Sequence, residues 1–222
     1  CIYIFFYSKN IKNFPDINEK KKVIINPLVK KNIYDLKSFT PKSKKFTILI
    51  VGGSQGASIF DNELKESIVK ISGKTSIKII QQTNDNNISN LSQFYSKNNI
   101  ENKIFSYEKN LANIIQEADL CITRAGASTL AELSILSTPF IAVPLPTAKD
   151  NHQFENANYY KNNGCCWIIN QNLFDEKIEE ILKDIISNKR DYLNKKENLK
   201  KLNYQNTWIN VNEKLLKFIY EN

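Results

Sequence analysis

The stretch "FTILIVGGSQGASIFDNEL", residues 46–64, decides the fold class of this chain. Its first six residues are apolar or β-branched, which predicts a strand buried on both faces of a parallel sheet. Small residues follow from Gly52, and an apolar period of 3.6 residues then predicts a helix from Ala57 to about Ser72. A strand, a small-residue turn and a helix in this order are typical of an α/β unit that binds phosphate at the start of its helix.

The same alternation of strand and helix continues to about residue 170. Connections of a few residues between the elements predict right-handed βαβ units, and hence a Rossmann-like, doubly wound parallel sheet with helices on both faces. The predicted strands cover residues 77–81, 102–106, 119–123, 139–144 and 165–169, and the predicted helices cover 88–98, 110–118, 127–136 and 153–162.

The chain divides into three parts by its sequence pattern. Residues 1–42 contain two short apolar runs outside the alternation, so we expect them to be the tail of a preceding domain and a linker. Residues 43–170 form the Rossmann-like domain, and residues 171–222 are lysine-rich helices that flank it. Because the chain opens within an apolar run and contains no methionine, we expect it to be the downstream part of a longer protein.

Composition restricts the classes of partner. The chain has 41% hydrophobic residues and a net charge of +8, with Arg124 and Arg190 as its only arginines. Diffuse lysine charge disfavours reading of nucleic acid, which relies on arginine forks, and favours attraction to an anionic membrane surface. The opening "CIYIFFYS" is too short to span a membrane. Four cysteines without CxxC spacing and one histidine predict free thiols in a reducing cytoplasm and no metal site.

In an open α/β sheet, ligands bind outside the carboxyl ends of the strands, so the loops that follow strands matter most. The first such loop, Gly52–Ala57, lacks the GxGxxG and GK[ST] patterns, which disfavours nicotinamide cofactors and ATP in their usual modes. It predicts an anion site built from backbone N–H groups at a helix N-terminus. The alternative is a plain tight turn capped by Ser54.

The second loop, Arg124–Thr129, is followed one turn later by Glu132. Thr129-x-x-Glu132 satisfies the capping-box pattern, in which the glutamate bonds to the helix's own N-terminal amide. Alternatively, Glu132 accepts hydrogen bonds from a ribose diol, as acidic residues do in nucleotide-binding folds. Arg124 is a candidate either to counter phosphate charge or to pair with a carboxylate.

The third loop, "PLPTAKDNHQFENA" at residues 144–157, is dense in side chains that recognise hydroxyl and amide groups. Gln153 and Asn156 are three residues apart, so one helix face can present both of them. His152, the only histidine of the chain, is a candidate ligand contact, or it serves only as a residue at the start of the helix.

These three loops resemble corresponding segments of the bacterial MurG family. The matching segments include "VGGSQGA", "SYEKNLANIIQEADLCITRAGASTLAEL", "PFIAVPLPTAKDNHQFENA" and "NNGCC", in the family's order, and cover most of residues 24–170. The resemblance implies a GT-B glycosyltransferase fold: a C-terminal donor-binding domain with a remnant of the N-terminal domain at residues 1–42. The implied function is inverting transfer of N-acetylglucosamine from UDP-N-acetylglucosamine to lipid I, which forms lipid II in peptidoglycan synthesis on the cytoplasmic face of the cell membrane.

The resemblance also implies roles for individual residues. Ser54 corresponds to the donor-contacting serine, the backbone around Glu108 to the segment that reads uracil, Glu132 to the ribose-binding acid, and Gln153 to the glutamine that recognises the sugar hydroxyls. The residues assigned in this way to UDP-N-acetylglucosamine are Gly53, Ser54, Gln55, Gly56, Glu108, Arg124, Ala127, Ser128, Thr129, Leu130, Ala131, Glu132, Gln153 and Asn156.

The chain departs from the family where the family usually reads Asn-Pro-Val-Arg. Here "NPLVKK" places Val29 at the arginine position unless Lys30 replaces it. We expect no cofactor and no obligatory metal, and we expect the catalytic base and the acceptor site in the absent N-terminal half. The alternatives are a separate donor-binding subunit of a two-chain transferase, a non-catalytic nucleotide-sugar module and a Rossmann oxidoreductase.

Overall fold

The computed structural model describes residues 4–6, 22–24, 27–30, 33–34, 36, 44–53, 58–202 and 208–220. Strands β1 (Ile4–Phe6) and β2 (Lys22–Ile24) form a separate parallel pair. The remaining strands are β3 (Phe46–Val51), β4 (Ile77–Gln82), β5 (Glu101–Phe105), β6 (Leu120–Thr123), β7 (Phe140–Ala142) and β8 (Cys166–Ile168). The helices are α1 (Ser58–Ser72), α2 (Ile88–Lys97), α3 (Leu111–Glu117), α4 (Ala127–Ile135), α5 (His152–Asn162), α6 (Phe174–Ser187), α7 (Lys189–Lys201) and α8 (Trp208–Tyr220).

The main sheet confirms the predicted α/β class. Its six strands are all parallel and lie in the order β5-β4-β3-β6-β7-β8. The chain therefore winds outward in one direction from β3 and then in the other direction from β6. The strand order reverses between these two central strands, and the crevice above such a reversal is where open α/β sheets bind ligands.

The central strand β3 carries the core on both of its faces. Ile48 and Ile50 pack with residues of α1, α2 and α6, whereas Leu49 and Val51 pack with residues of α3, α4, α5 and α7. Each of the four side chains is at most 3% exposed. Because successive strand residues face opposite sides, burial on both sides requires the uninterrupted apolar run that the sequence contains.

The predicted element bounds are mostly within two residues of the observed ones. The largest difference is β7, which covers residues 140–142 where a strand over 139–144 was expected. Pro139 and Pro144 have no N–H group to donate to a neighbouring strand, so regular pairing ends inside them. Val143 still donates its N–H to the Thr123 carbonyl oxygen, at 2.8 Å. The predicted helix start at Ala57 lies outside the described residues.

The segment before β3 packs against the main domain. Val29 and Ile33 are 3% and 2% exposed and form a small apolar cluster with Ala112, Ala131 and Ile135 of α3 and α4. Lys30, next to Val29, is exposed to solvent. The buried valine therefore anchors this part of the chain and holds the neighbouring lysine beside α4.

Helices α6 and α7 both contribute buried residues to the core of the main domain. Helix α6 buries Phe174, Ile178, Leu182 and Ile185, and the Phe174 ring lies 5.5 Å from that of Phe60 on α1. In α7 the Tyr192 hydroxyl donates to the Asp119 carbonyl oxygen at the amino edge of the sheet. None of the helices in the described part of the chain is both long and apolar enough to cross a membrane.

Three of the four cysteines lie in the described residues. Cys121, Cys165 and Cys166 are buried free thiols, as the sequence predicted. Burial raises the pKa of Cys165 to about 11 and that of Cys166 to about 12, so both thiols stay protonated at neutral pH. They act as small apolar core residues.

Candidate functional site

A cavity of about 700 Å³ opens above the carboxyl ends of β3, β6 and β7. It lies at the reversal of strand order, and its volume is in the range of pockets that hold nucleotide-sized ligands. Its lining comes from the three loops that the sequence singled out. The lining residues are Gly52, Gly53, Thr123, Arg124, Gly126, Ala127, Ser128, Thr129, Leu145, Thr147, Ala148, Lys149, His152 and Gln153.

Helix α4 presents its N-terminus to the cavity. Gly126 is the N-cap residue, and no side chain caps the helix. The backbone N–H groups of the first turn, Ala127 to Thr129, therefore have no intrahelical partner, and the helix dipole adds partial positive charge. The capping-box interpretation of Thr129 and Glu132 is wrong, because Gly126 occupies the cap position and Thr129 already lies inside the helix.

The loop after β7 brings the start of α5 to the same cavity. Asp150 and Asn151 both have left-handed backbone conformations, with φ of 52° and 56°. Aspartate and asparagine tolerate this region better than other non-glycine residues. The sharp bend brings Lys149 and His152 to the cavity wall, and His152 Nδ1 lies 2.8 Å from the Lys149 carbonyl oxygen.

Two amide side chains of α5 hold the loops together. Gln153 Oε1 accepts hydrogen bonds from the N–H groups of Leu145, at 3.0 Å, and Ala125, at 3.3 Å. Asn156 Nδ2 donates to the Ala125 carbonyl oxygen at 3.1 Å. The prediction that one helix face presents both side chains is confirmed. Gln153 lines the cavity with its amide nitrogen still available as a donor, whereas Asn156 supports the wall from behind.

Arg124 places a positive charge in the cavity wall. Its Nη1 donates to the Val143 carbonyl oxygen at 3.1 Å, and its guanidinium lies 5.5 Å from the centre of the Phe60 ring. Burial lowers the pKa of Arg124 and the nearby Glu63 raises it, but an arginine remains charged at neutral pH. Together with Lys149, it makes the cavity attractive to anions.

Glu132 lies one turn beyond the lining residues of α4, on the side of the helix that faces Lys30. Burial raises the pKa of its carboxyl group, and the charge of Lys30 opposes this shift. Among the residues that the structure describes, none donates a hydrogen bond or forms an ion pair with this half-buried carboxylate. A carboxylate in such surroundings gains from a ligand that brings hydroxyl donors.

The other predicted site residues divide into three groups. Leu130 and Ala131 are completely buried, so their side chains form the core beneath the site. Glu108 does not line the cavity; its Oε1 accepts a hydrogen bond from the N–H group of Asn110, at 2.9 Å, just before α3. Gly53 lines the cavity with φ of 79°, and Ser54, Gln55 and Gly56 lie outside the described residues.

Several residues that line the cavity were not predicted from the sequence. Thr147 and Lys149 precede the strained Asp150–Asn151 pair, and Thr123 ends strand β6. The signal for Lys149 was available, because a cation sits in a polar loop next to two residues that favour a left-handed bend. Which cation reaches a cavity depends on that bend, which the residue types alone do not determine.

Comparison with known sequences identifies a domain family in the chain. Residues 47–207 match the glycosyltransferase family 28 C-terminal domain. The chain is 47% identical over its whole length to the UDP-N-acetylglucosamine--N-acetylmuramyl-(pentapeptide) pyrophosphoryl-undecaprenol N-acetylglucosamine transferase of Pelagibacter ubique, and covers 63% of that protein. It is 40% identical over 186 residues to the protein of the same name from Rickettsia canadensis, covering 81% of this chain and 52% of the relative. The chain thus spans roughly half to five eighths of these relatives.

Solved structures show the same fold. Acinetobacter baumannii MurG superposes with a TM-score of 0.67 at 23% identity, over 86% of this chain and 54% of that protein. The glycosyltransferase of kitacinnamycin superposes with a TM-score of 0.60 at 16% identity, over 84% of this chain and 45% of that protein. These similarities confirm the predicted GT-B glycosyltransferase fold class.

Proposed function

Because this chain belongs to the glycosyltransferase family 28 C-terminal domain family, we propose that it supplies the donor-binding half of a hexosyltransferase. The donor is UDP-N-acetylglucosamine and the acceptor is lipid I, so that the product is lipid II of peptidoglycan synthesis. The relatives from Pelagibacter and Rickettsia carry names that describe this transfer.

The observation that carries the proposal is the cavity at the reversal of strand order. The open N-terminus of α4, the start of α5 and the charges of Arg124 and Lys149 all face it. Such a surface suits a diphosphate, since helix N-termini and cations both stabilise negative charge. Glu132 lies close by with an unused carboxylate, which suits the hydroxyl donors of a ribose.

The proposed mechanism uses this electrostatic arrangement to help UDP depart. When the acceptor hydroxyl attacks the anomeric carbon, the bond to the UDP oxygen breaks and negative charge grows on the diphosphate. The N–H groups of Ala127, Ser128 and Thr129 and the two cations are already oriented toward the cavity, so they stabilise that charge without reorganisation. The Gln153 amide nitrogen remains free to donate to a hydroxyl of the sugar.

The rest of the reaction belongs to parts of the enzyme that the chain does not supply. We propose that the catalytic base and the lipid-binding surface lie in the portion of the relatives that this chain does not cover. In this proposal residues 1–42 connect to that portion, residues 43–170 bind the donor and residues 171–222 brace the donor domain. In the same proposal the enzyme works at the inner surface of the cell membrane, which a lipid-linked acceptor requires and which a net charge of +8 favours.

Calorimetry with four ligands tests the proposal: UDP-N-acetylglucosamine, UDP, a TDP-sugar and NAD. We expect the first two to bind and the last two to bind at least tenfold more weakly. Transfer of labelled N-acetylglucosamine to lipid I is then measured in a protein that also carries the relatives' preceding domain. Tight NAD binding would rule out the transferase, and donor binding without any transfer in that longer protein would favour a non-catalytic module.

Lys30 provides a further prediction, because it stands beside the position of the family arginine. We expect Lys30→Ala to weaken UDP binding two- to fivefold at low salt, which is about 0.4–1 kcal/mol for one exposed charge. The difference in UDP affinity between Lys30→Ala and the wild-type protein should vanish at high salt, since salt screens exposed charges. Lys97→Ala, which removes an exposed lysine at the opposite edge of the sheet, is the matched control. Equal effects of both variants at each salt concentration would remove Lys30 from the site.

A further inference from the structure

Asp61, in the first turns of α1, is a buried carboxylate with an unusual set of partners. It is 8% exposed, and its oxygens accept hydrogen bonds from Gln81 Nε2 at 2.8 Å, Thr83 Oγ1 at 2.6 Å and Asn87 Nδ2 at 3.0 Å. All three donors are neutral. No cation forms an ion pair with Asp61 among the described residues.

The partners of Asp61 are themselves held in place. The Tyr95 hydroxyl donates to Gln81 Oε1 at 2.8 Å, so the Gln81 amide must present its nitrogen to Asp61. Thr83 follows β4 directly, and Asn87 ends the short turn that leads into α2. The carboxylate therefore ties the start of α1 to the carboxyl end of β4 and to the start of α2.

Apolar packing alone would not fix the start of α1 so closely. The buried face of this helix, which includes Phe60, Leu64 and Ile68, contacts the sheet through non-directional interactions, and cores tolerate small shifts of such faces. Three hydrogen bonds to one carboxylate are directional, and charge-assisted bonds are stronger than neutral ones. Burial of the charge has a desolvation cost, and positional specificity is a role that can retain such a group.

We propose that Asp61 is a positioning residue for the diphosphate subsite. Phe60 precedes Asp61 on α1, and its ring lies 5.5 Å from the guanidinium of Arg124, which lines the cavity. By fixing the first turns of α1 against β4, Asp61 holds the Phe60 ring that supports Arg124 at the cavity wall. This inference rests on the proposed function, because it assumes that the diphosphate of the donor lies beside Arg124.

Asp61→Asn tests the inference. An asparagine has one acceptor oxygen in place of two, and its NH₂ group faces donors, so at least one of the three bonds is lost. We expect the affinity for UDP to fall about tenfold, measured by calorimetry, while the affinity for uridine, measured by NMR titration, changes less than twofold. A merely structural role would not separate the two ligands, because only UDP carries the diphosphate.

Thr83→Val and Thr83→Ser keep the test usable if Asp61→Asn does not fold. The valine variant removes one donor and should weaken UDP selectively, whereas the serine variant keeps the hydroxyl and should bind like the wild-type protein. Tyr192→Phe removes one hydroxyl bond at the amino edge of the sheet and should leave both affinities unchanged. Wild-type protein that binds no UDP would overturn the proposed function itself. If the wild-type protein binds UDP, two results would overturn only the role of Asp61: variants that keep the wild-type affinity for UDP, or variants that lose affinity for UDP and uridine to the same extent.

Discussion

Replacing Glu132 with alanine is expected to weaken the binding of both UDP and uridine by about 10- to 100-fold. The reason is that the carboxylate accepts the ribose hydroxyls, and loss of a buried hydrogen-bonding partner costs about 1–3 kcal/mol. Without ligand, no described residue donates a hydrogen bond to Glu132, and burial raises the pKa of its carboxyl group. We therefore expect the free energy of unfolding to stay equal or to rise in Glu132→Ala, as calorimetry and urea unfolding will measure.

The pH dependence of uridine binding gives the control for this prediction. The pKa of Glu132 is raised in the folded protein, so the protonated carboxyl group contributes stability that is fully present below the ordinary pKa of glutamate. This contribution is lost as the pH rises through the raised pKa of the folded protein. Ribose hydroxyls bind best to the ionised form. Uridine affinity should then fall as the pH drops toward the raised pKa of Glu132. In Glu132→Gln, which has no carboxyl group at this position, uridine affinity should stay constant over the same pH range.

Two results would contradict the ribose role of Glu132. Unchanged uridine affinity in Glu132→Ala would place the ribose elsewhere. A lower free energy of unfolding with unchanged affinity would indicate that the side chain stabilises α4. Uridine is the better probe of pH, because it lacks the phosphate groups that titrate near neutral pH in UDP.

The sheet was predictable because burial on two faces leaves a direct trace in sequence. Residues 48–51 are all apolar and all buried. A central strand of a parallel sheet is covered on both faces, so it requires such an uninterrupted apolar run. Prolines likewise carry local information, although the apolar pattern predicted a strand that includes Pro139 and Pro144. The missing N–H groups of those two residues explain the shorter strand.

The cap of α4 was not predictable from spacing. Thr129 and Glu132 fit the capping-box pattern, yet the helix starts at Ala127, two residues before Thr129, because β6 ends at Thr123 and the chain turns at Gly126. The position of that turn depends on the pairing of β6 with its neighbours. A local pattern cannot contain this information, since strand pairing joins residues far apart in the chain.

The hydrogen-bond partners of Asp61 were also not predictable from the sequence. Asp61 reads as an ordinary acid in the first turn of a helix, where acids are favoured by the dipole. Its hydrogen-bond donors Gln81, Thr83 and Asn87 come from another strand and its following turn. The choice of these partners is a tertiary property, which the residue types alone do not determine.

Replacing Gln153 with glutamate should separate sugar recognition from the support of the loops. One glutamate oxygen can still accept from the N–H groups of Leu145 and Ala125, so the fold should persist. The other oxygen replaces the amide donor with a negatively charged acceptor at the cavity wall. We expect the affinity for UDP-N-acetylglucosamine to fall about 10- to 100-fold, or about 1.4–2.8 kcal/mol, and that for UDP to fall less.

Gln153→Ala is the matched comparison, because it removes both functions of the side chain at once. It leaves the N–H groups of Leu145 and Ala125 without their acceptor, so the free energy of unfolding should fall by about 1–3 kcal/mol. The glutamate variant should unfold near the wild-type urea midpoint and still discriminate poorly between UDP-N-acetylglucosamine and UDP. If it keeps the wild-type ratio of the two affinities, the sugar does not contact Gln153, and the amide serves only to join the loops after β6 and β7.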